Sequence, residues 1–344
     1  MKRKRPNFFY HLHQPNFHKR EGSFFYSFGL GFTAAFLFAA LILTGILEVF
    51  YYVPSSAEAN QSLQVITYLV PYGSLIRGIH YWAGQLLLGV AILHMLRVVL
   101  TGSYKRPRRF NWLLGLVLLV LVLFANFTGY GLRWDEDVAW ALLVGTNLLK
   151  TVPWVGDALF QVAVGSSTIG EQTIVRFYGW HIYGLSLIAL FFVGWHIFRV
   201  RRDGGISTSP KEIPFPKIPR DEVIQKEVIG MFVISILLVA LALLFPPGLS
   251  AAADFNNIPE DATAPWFFIW IQLLLRNGNA LLMGVIVPSV VLLLLGLVPY
   301  LLDRSGSEEG TGIWFNKKGR IAQITVLVII LGITTLTLIR VFSQ

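Results

Sequence analysis

Seven stretches of the chain run for nineteen residues or more without an Asp, Glu, Lys or Arg: 22–47, 78–96, 110–132, 177–198, 228–253, 277–302 and 321–339. Apolar runs of that length predict membrane-crossing helices. In lipid only helices and closed barrels satisfy the backbone, and these runs are too long and too uniformly apolar for barrel strands. The pattern therefore predicts an all-α polytopic membrane protein, a four-helix bundle followed by three further transmembrane helices.

The polar stretches divide the chain further. RRDGGISTSPKEIPFPKIPRDEVIQKE at 201–227 carries glycines and prolines that forbid a continuous helix. This sets a four-span unit at 1–205, a linker at 206–228 on the cytoplasmic side and a three-span unit at 229–344. Two connections on the opposite side are too long for turns. RWDEDVAWALLVGTNLLK at 133–150 reads as a short interfacial helix. APWFFIWIQLLLR at 264–276 is too short to cross and predicts a second, near 264–275, with its aromatics anchored at the membrane surface.

Composition agrees: of 344 residues, 55% are apolar and only 14% charged, against about 25% charged in a soluble domain. The formal net charge of +9 invites a nucleic-acid reading, which its distribution removes. With the N-terminus inside, segments 1–21, 97–109, 199–227 and 303–320 hold 22 of the 28 Lys and Arg, while Asp and Glu split 9 to 10. A bias confined to cations is the positive-inside signal; it orients the chain with its N-terminus cytoplasmic, in contact with membrane lipid and not nucleic acid. No short apolar core with a cleavage site follows the basic N-terminal segment, so the first span is expected to be retained. There is no cysteine, which excludes disulfides, thiolate-held iron–sulfur clusters and thioether-linked haem within this chain.

Two of the spans hold histidines where lipid should be. RGIHYWAGQLLLGVAILHMLR at 77–97 contains His80 and His94, fourteen apart; RFYGWHIYGLSLIALFFVGWHIFR at 176–199 contains His181 and His196, fifteen apart. A helix turns about 100° and rises about 1.5 Å per residue, so each pair projects roughly to one side, about 21–22 Å apart. Spans two and four run parallel, which brings His80 level with His181 near the outer face and His94 level with His196 near the inner. Facing neutral imidazoles suit the two axial positions of a haem iron. Gly31 and Gly45 are fourteen apart in span one, as are Gly115 and Gly129 in span three. Each helical glycine costs about 0.5–1 kcal/mol relative to alanine, so the matched spacing points to helices approaching closely around a flat group. Arg77 and Arg97 bracket span two as partners for haem propionates. The alternative is that each histidine bonds to a hydroxyl across helices, or relays protons in a haem-free transporter or assembly subunit. Zinc would be short of ligands, with two histidines at each level and no acid or cysteine nearby.

Beyond about residue 15 the chain resembles the cytochrome b/b6 family of quinol-oxidising complexes. The motifs are GSLIRGIHYW, ILHMLRVVLTGSYKRPR, FTGYGLRWD, VGSSTIGEQTIVRFYGWH and WHIFRVRRDGGIS. The first four spans resemble the haem-bearing half, and the last three the separate subunit IV of the b6 branch, here fused to it. The resemblance implies two b-type haems, an outer low-potential one on His80 and His181 and an inner high-potential one on His94 and His196. It implies quinol oxidation near Gly129, Trp134, the segment 165–176 and Trp266, and a second quinone site near the N-terminal segment and Arg97. It also implies a Rieske-type iron–sulfur partner, a cytochrome c-type subunit, dimerisation of complexes, a contribution to proton-motive force, and a bacterial or archaeal plasma membrane.

The departures are specific. Where the family carries Pro-Glu-Trp-Tyr, with a glutamate that takes a quinol proton, this chain has Ala264-Pro265-Trp266-Phe267. Glu260, Asp261, Asp135 or Glu171 would have to serve instead, or are ordinary exposed loop acids. Arg133 replaces a proline of the b6 branch, and Ser27 and Gly29 stand where plastid relatives attach a third haem to cysteine. Without that glutamate, a non-bifurcating electron conduit between the quinone pool and another enzyme, such as a molybdenum reductase, is the second expectation. His11, His13 and His18 read as interfacial, with inner quinone protonation an option for His18.

Overall fold

Charge-free runs in lipid must satisfy their backbone internally, and all seven form helices in the computed structural model, which describes residues 16–207, 216–255, 263–303 and 310–343. The membrane-crossing helices are α1 (Leu30–Val49), α3 (Gly73–Leu100), α4 (Arg109–Gly131), α7 (Glu171–Arg202), α8 (Arg220–Leu244), α10 (Leu281–Leu302) and α11 (Lys317–Phe342). Between them lie α2 (Ala59–Tyr68), α5 (Glu136–Lys150), α6 (Gly156–Val164) and α9 (Trp266–Arg276).

Several boundaries differ from the sequence expectation for local reasons. Helix α1 starts eight residues late, because Phe28 and Gly29 adopt left-handed backbone (φ 51° and 61°) after a short helical turn at Phe24–Ser27. Helix α8 ends at Leu244, ahead of the paired prolines 246 and 247, and begins at Arg220 directly after Pro219, so the last residues assigned to the linker are helical. Helix α2 was not expected. It is too polar for an apolar run, yet it buries Ala59, Leu63 and Ile66 on one side. Asn16–His18 pairs antiparallel with Lys217–Pro219, so the N-terminal segment and the linker close on each other.

The two parts of the chain share their interior. One apolar cluster joins Leu37 of α1, Ala83, Leu87 and Leu88 of α3, and Leu119 and Val122 of α4 to Leu238 of α8 and Phe267 of α9. Another joins Val99, Tyr104 and Trp112 to Leu295, Val298, Ala322 and Val326. Side chains aimed at backbone carbonyls pin the contacts. The Trp82 and Trp112 indoles donate to the carbonyls of Phe245 and Leu295, both at 2.8 Å. A Cβ on Gly78 would fall 2.7 Å from that of Ala242, so only glycine allows α3 and α8 to meet there. Beyond the helices, Lys105 and Asp303 form a buried ion pair at 3.3 Å, joined by the Tyr104 hydroxyl at 2.9 Å. Burial and the adjacent Asp303 carboxylate push the Tyr104 phenol well above its ordinary range, so it stays a donor.

Candidate metal centre

Helices α3 and α7 each contribute one imidazole at two depths. The His80 and His181 rings lie 6.2 Å apart between centroids, inclined by 63°; those of His94 and His196 lie 6.5 Å apart, inclined by 75°. A π turn at Trp180–Leu185 carries His181. Such a turn inserts one residue into the helix, which brings the fifteen-residue spacing of α7 into step with the fourteen of α3.

The four glycines of matched spacing lie directly behind these rings. A Cβ on Gly31 would stand 3.0 Å from the Cε1 of His94, on Gly45 3.1 Å from that of His80, on Gly115 3.5 Å from that of His196, and on Gly129 2.7 Å from that of His181. The space that each glycine leaves is filled by an imidazole from the neighbouring helix, which is more specific than general helix approach.

Hydrogen bonds set the ring tautomers at one end. The Thr44 hydroxyl donates to the Ala40 carbonyl at 2.8 Å, so its oxygen is left to accept from His80 Nδ1 at 2.9 Å. His181 Nδ1 lies 3.0 Å from the Ala125 carbonyl, which can only accept, and 3.2 Å from Thr128 Oγ1. In both rings the proton therefore sits on Nδ1 and the lone pair on Nε2, the arrangement that a metal-bound histidine requires. Sequence reasoning missed Thr44 and Thr128. A signal existed, since each immediately precedes one of the matched glycines, as Thr44-Gly45 and Thr128-Gly129. The Nδ1 of His196 is buried and faces the backbone of Asn111, without a hydrogen bond of good geometry among the described residues.

These residues fit an iron porphyrin. Metal–imidazole bonds of about 2.0–2.1 Å set the two nitrogens about 4 Å apart, which leaves ring centres a little over about 6 Å apart, as both pairs show. No group of three or more His, Cys, Asp or Glu that could hold a metal occurs among the described residues. A metal at either level would take its remaining ligands from elsewhere, as a porphyrin supplies them.

The arginines divide. Arg77 is buried, with Nη1 donating to the Pro247 carbonyl at 2.9 Å and to Thr67 at 3.3 Å, and Nη2 to the Gly248 carbonyl at 3.0 Å. It clamps the exit of α8, a role that the propionate expectation did not include. Arg97 is buried against the Tyr26 ring, 4.7 Å from its centroid, and its Nε and Nη2 meet no hydrogen-bond acceptor among the described residues. Those two donors stand beside the His94 pair.

The remaining acids and Trp266 are scattered. Trp266 donates through Nε1 to Gln85 at 2.6 Å and stays 44% exposed. Glu260 and Asp261 lie outside the described residues, as do His11 and His13. Glu171 is exposed and accepts from the Ser56 amide and hydroxyl at 2.7 and 2.6 Å. Asp135 is not an exposed loop acid. It is wholly buried, pairs with Arg133, and caps α5 by accepting from the Val138 amide at 3.2 Å. Burial raises its pKa, against the opposing pull of Arg133. The 250–253 segment folds over it, with the Ala253 amide bonded to the Trp134 carbonyl at 3.0 Å. His18 lies in the strand pair, opposite Lys217.

The chain is similar to known proteins over much of its length. Residues 85–252 match the family model described as cytochrome b(N-terminal)/b6/petB. The chain is 37% identical over 175 residues to cytochrome b6 of Synechococcus sp. (strain JA-3-3Ab), which covers 51% of this chain and 81% of that one. It is 37% identical over 180 residues to cytochrome b6 of Cyanidium caldarium, covering 52% and 83%. A solved structure titled "Hyperthermophilic respiratory Complex III" superposes with a TM-score of 0.72 at 22% identity, over 92% of this chain and 91% of that one, a likeness of fold. The chain belongs to the cytochrome b/b6 family.

Proposed function

We propose that the chain is the di-haem cytochrome b subunit of a membrane quinol oxidoreductase of the cytochrome bc type. The observation that carries this is the stacking of two facing imidazole pairs, at 6.2 and 6.5 Å between ring centres, along the same two helices. His80 and His181 would hold an outer b-type haem, and His94 and His196 an inner one. Each haem supplies a site that accepts and returns one electron. Thr44 and the Ala125 carbonyl orient the outer rings; Gly31, Gly45, Gly115 and Gly129 give the rings room; Arg97 offers buried donors to an anionic group at the inner level. About 21–22 Å of helix separates the two levels, so the pairs form steps across the bilayer between quinone sites on either side.

On this reading quinol is oxidised near Trp266 and Gln85, with the proton accepted elsewhere than in the 264–267 segment, and the second quinone sits near Arg97. A Rieske-type iron–sulfur protein and a cytochrome c-type subunit are the partners, in a dimer of complexes that builds proton-motive force. The last three helices take the place of subunit IV. The cation distribution favours a cytoplasmic N-terminus, and the membrane on this reading is a bacterial or archaeal plasma membrane. The absent family glutamate favours a second reading, a non-bifurcating conduit between the quinone pool and another redox enzyme. Purifying the native complex separates them. A Rieske signal in its EPR spectrum is the expected result; a haem-containing complex with no such signal would favour the conduit.

A further inference from the structure

One carboxylate is set into the first membrane helix. Glu48 stands in the last turn of α1 with its Oε1 fully enclosed and no hydrogen-bond donor to it among the described residues. An ionisable side chain at the end of a membrane span is costly where it is shielded from water, which makes it a candidate for a functional role. Its position is specific. Residues four apart share a helix face, so Glu48 follows Thr44, whose hydroxyl oxygen accepts from His80. Gly45, between them, backs the same ring.

The surroundings leave its charge unfixed. The cation whose field reaches Glu48 is Arg77 of α3. Arg77 in turn feels Arg133, Asp135 and Tyr68, and its terminal nitrogens are engaged by Thr67 and the carbonyls of Pro247 and Gly248. No ion pair within 4 Å is made to Glu48 among the described residues. A carboxyl with one oxygen enclosed and no fixed partner takes or loses its proton according to the local field. The nearest place where charge is expected to change is the His80–His181 level, if haem is held there.

We propose that Glu48 is the proton-exchanging carboxyl coupled to the His80–His181 pair: when one electron from a quinol-class donor resides at that level, one proton from water binds Glu48, and both leave together. This rests on the di-haem reading above. It assigns a protonatable group to the outer half of a chain whose 264–267 segment lacks one, and it places that group on α1, opposite the histidine and not on the connection after α8.

The test is an equilibrium redox titration of haem absorbance in the purified complex, from about pH 5 to about pH 9, a range wide enough to contain a shifted carboxyl. In the wild type, one of the two one-electron components should fall in potential as pH rises, because the reduced state holds the proton more tightly. Its slope should reach at most about 59 mV per tenfold change in proton concentration. In Glu48→Gln that component should be flat and sit at the acid-limit value of the wild type, while the second component is unchanged. Glu48→Asp should restore the slope. An equal slope in Glu48→Gln overturns the proposal, and so do two pH-independent components in the wild type, which decides the matter even where the glutamine variant fails to assemble. A complex without haem would instead overturn the di-haem reading.

Discussion

A Cβ on Gly129 would lie 2.7 Å from the Cε1 of His181, closer than a carbon contact can be. The glycine and the histidine thus occupy one volume, and replacing either changes the other. The four glycines form a graded series, because the corresponding distances are 3.0 Å for Gly31, 3.1 Å for Gly45 and 3.5 Å for Gly115. Gly129→Ala should displace the His181 ring and lower haem content most, Gly31→Ala and Gly45→Ala less, and Gly115→Ala hardly at all. Haem-to-protein ratios of the four purified variants check the order; equal losses in all four would show a general effect on helix packing.

The two threonines beside the outer rings should behave differently on replacement. Thr44→Val removes the closest acceptor for His80 Nδ1, at 2.9 Å, and leaves only the backbone contact to Leu41; loss of a partner of this kind typically weakens metal binding by about 10–100-fold. Thr128→Val leaves His181 its 3.0 Å bond to the Ala125 carbonyl, so haem retention should stay close to wild type. Haem transfer to an excess of apomyoglobin measures both. Equal loss rates in the two variants would contradict the tautomer assignment.

Arg77→Gln should cost stability before it costs haem. The change strips a charged donor from the part-buried carbonyls of Pro247 and Gly248; hydrogen bonds to a charged group contribute about 1.5–3 kcal/mol. Thermal unfolding in detergent should shift to a markedly lower midpoint, with haem released only as the protein unfolds. Haem loss from a variant of unchanged midpoint would place Arg77 at the propionates instead.

Asp135 predicts a pH dependence of known sign. Burial holds its folded pKa above the ordinary carboxylate value, so the folded state binds the proton more tightly than the unfolded one. The stability this contributes is full below the unfolded pKa and is lost as pH rises through the folded one. Asp135→Asn keeps a good cap for α5 and should flatten unfolding midpoints across that window. Asp135→Ala should also lose the cap, about 1 kcal/mol. A wild-type midpoint that rises with pH across that window, or one that falls to the same extent in Asp135→Asn, would contradict the assignment.

What was legible in the sequence follows from what periodicity can carry. The seven charge-free runs mark the spans, and the fourteen- and fifteen-residue spacings mark the histidine levels, since both signals lie within single helices. The matched glycines were legible as a pattern, but that each backs one imidazole depends on which helix is its neighbour. The π turn under His181 was hidden, because WHIYGL carries no proline or other local mark that sets it apart. Helix α2 was missed for want of an apolar run. The burial of Asp135 and the pairing of Asn16–His18 with Lys217–Pro219 join segments far apart in the chain, and no local pattern records either. Glu48 stands one residue past the edge of the first apolar run, where the pattern does not separate the helix end from the connection that follows.

The most direct measurement is the haem inventory of the purified chain, by pyridine haemochromogen assay, in the wild type and in His94→Leu. The account predicts about two b-type haems per wild-type chain, and one in His94→Leu, with the signal of the His80–His181 level intact and membrane insertion unaltered. A wild-type chain without haem, or a His94→Leu chain that keeps both haems, would contradict it.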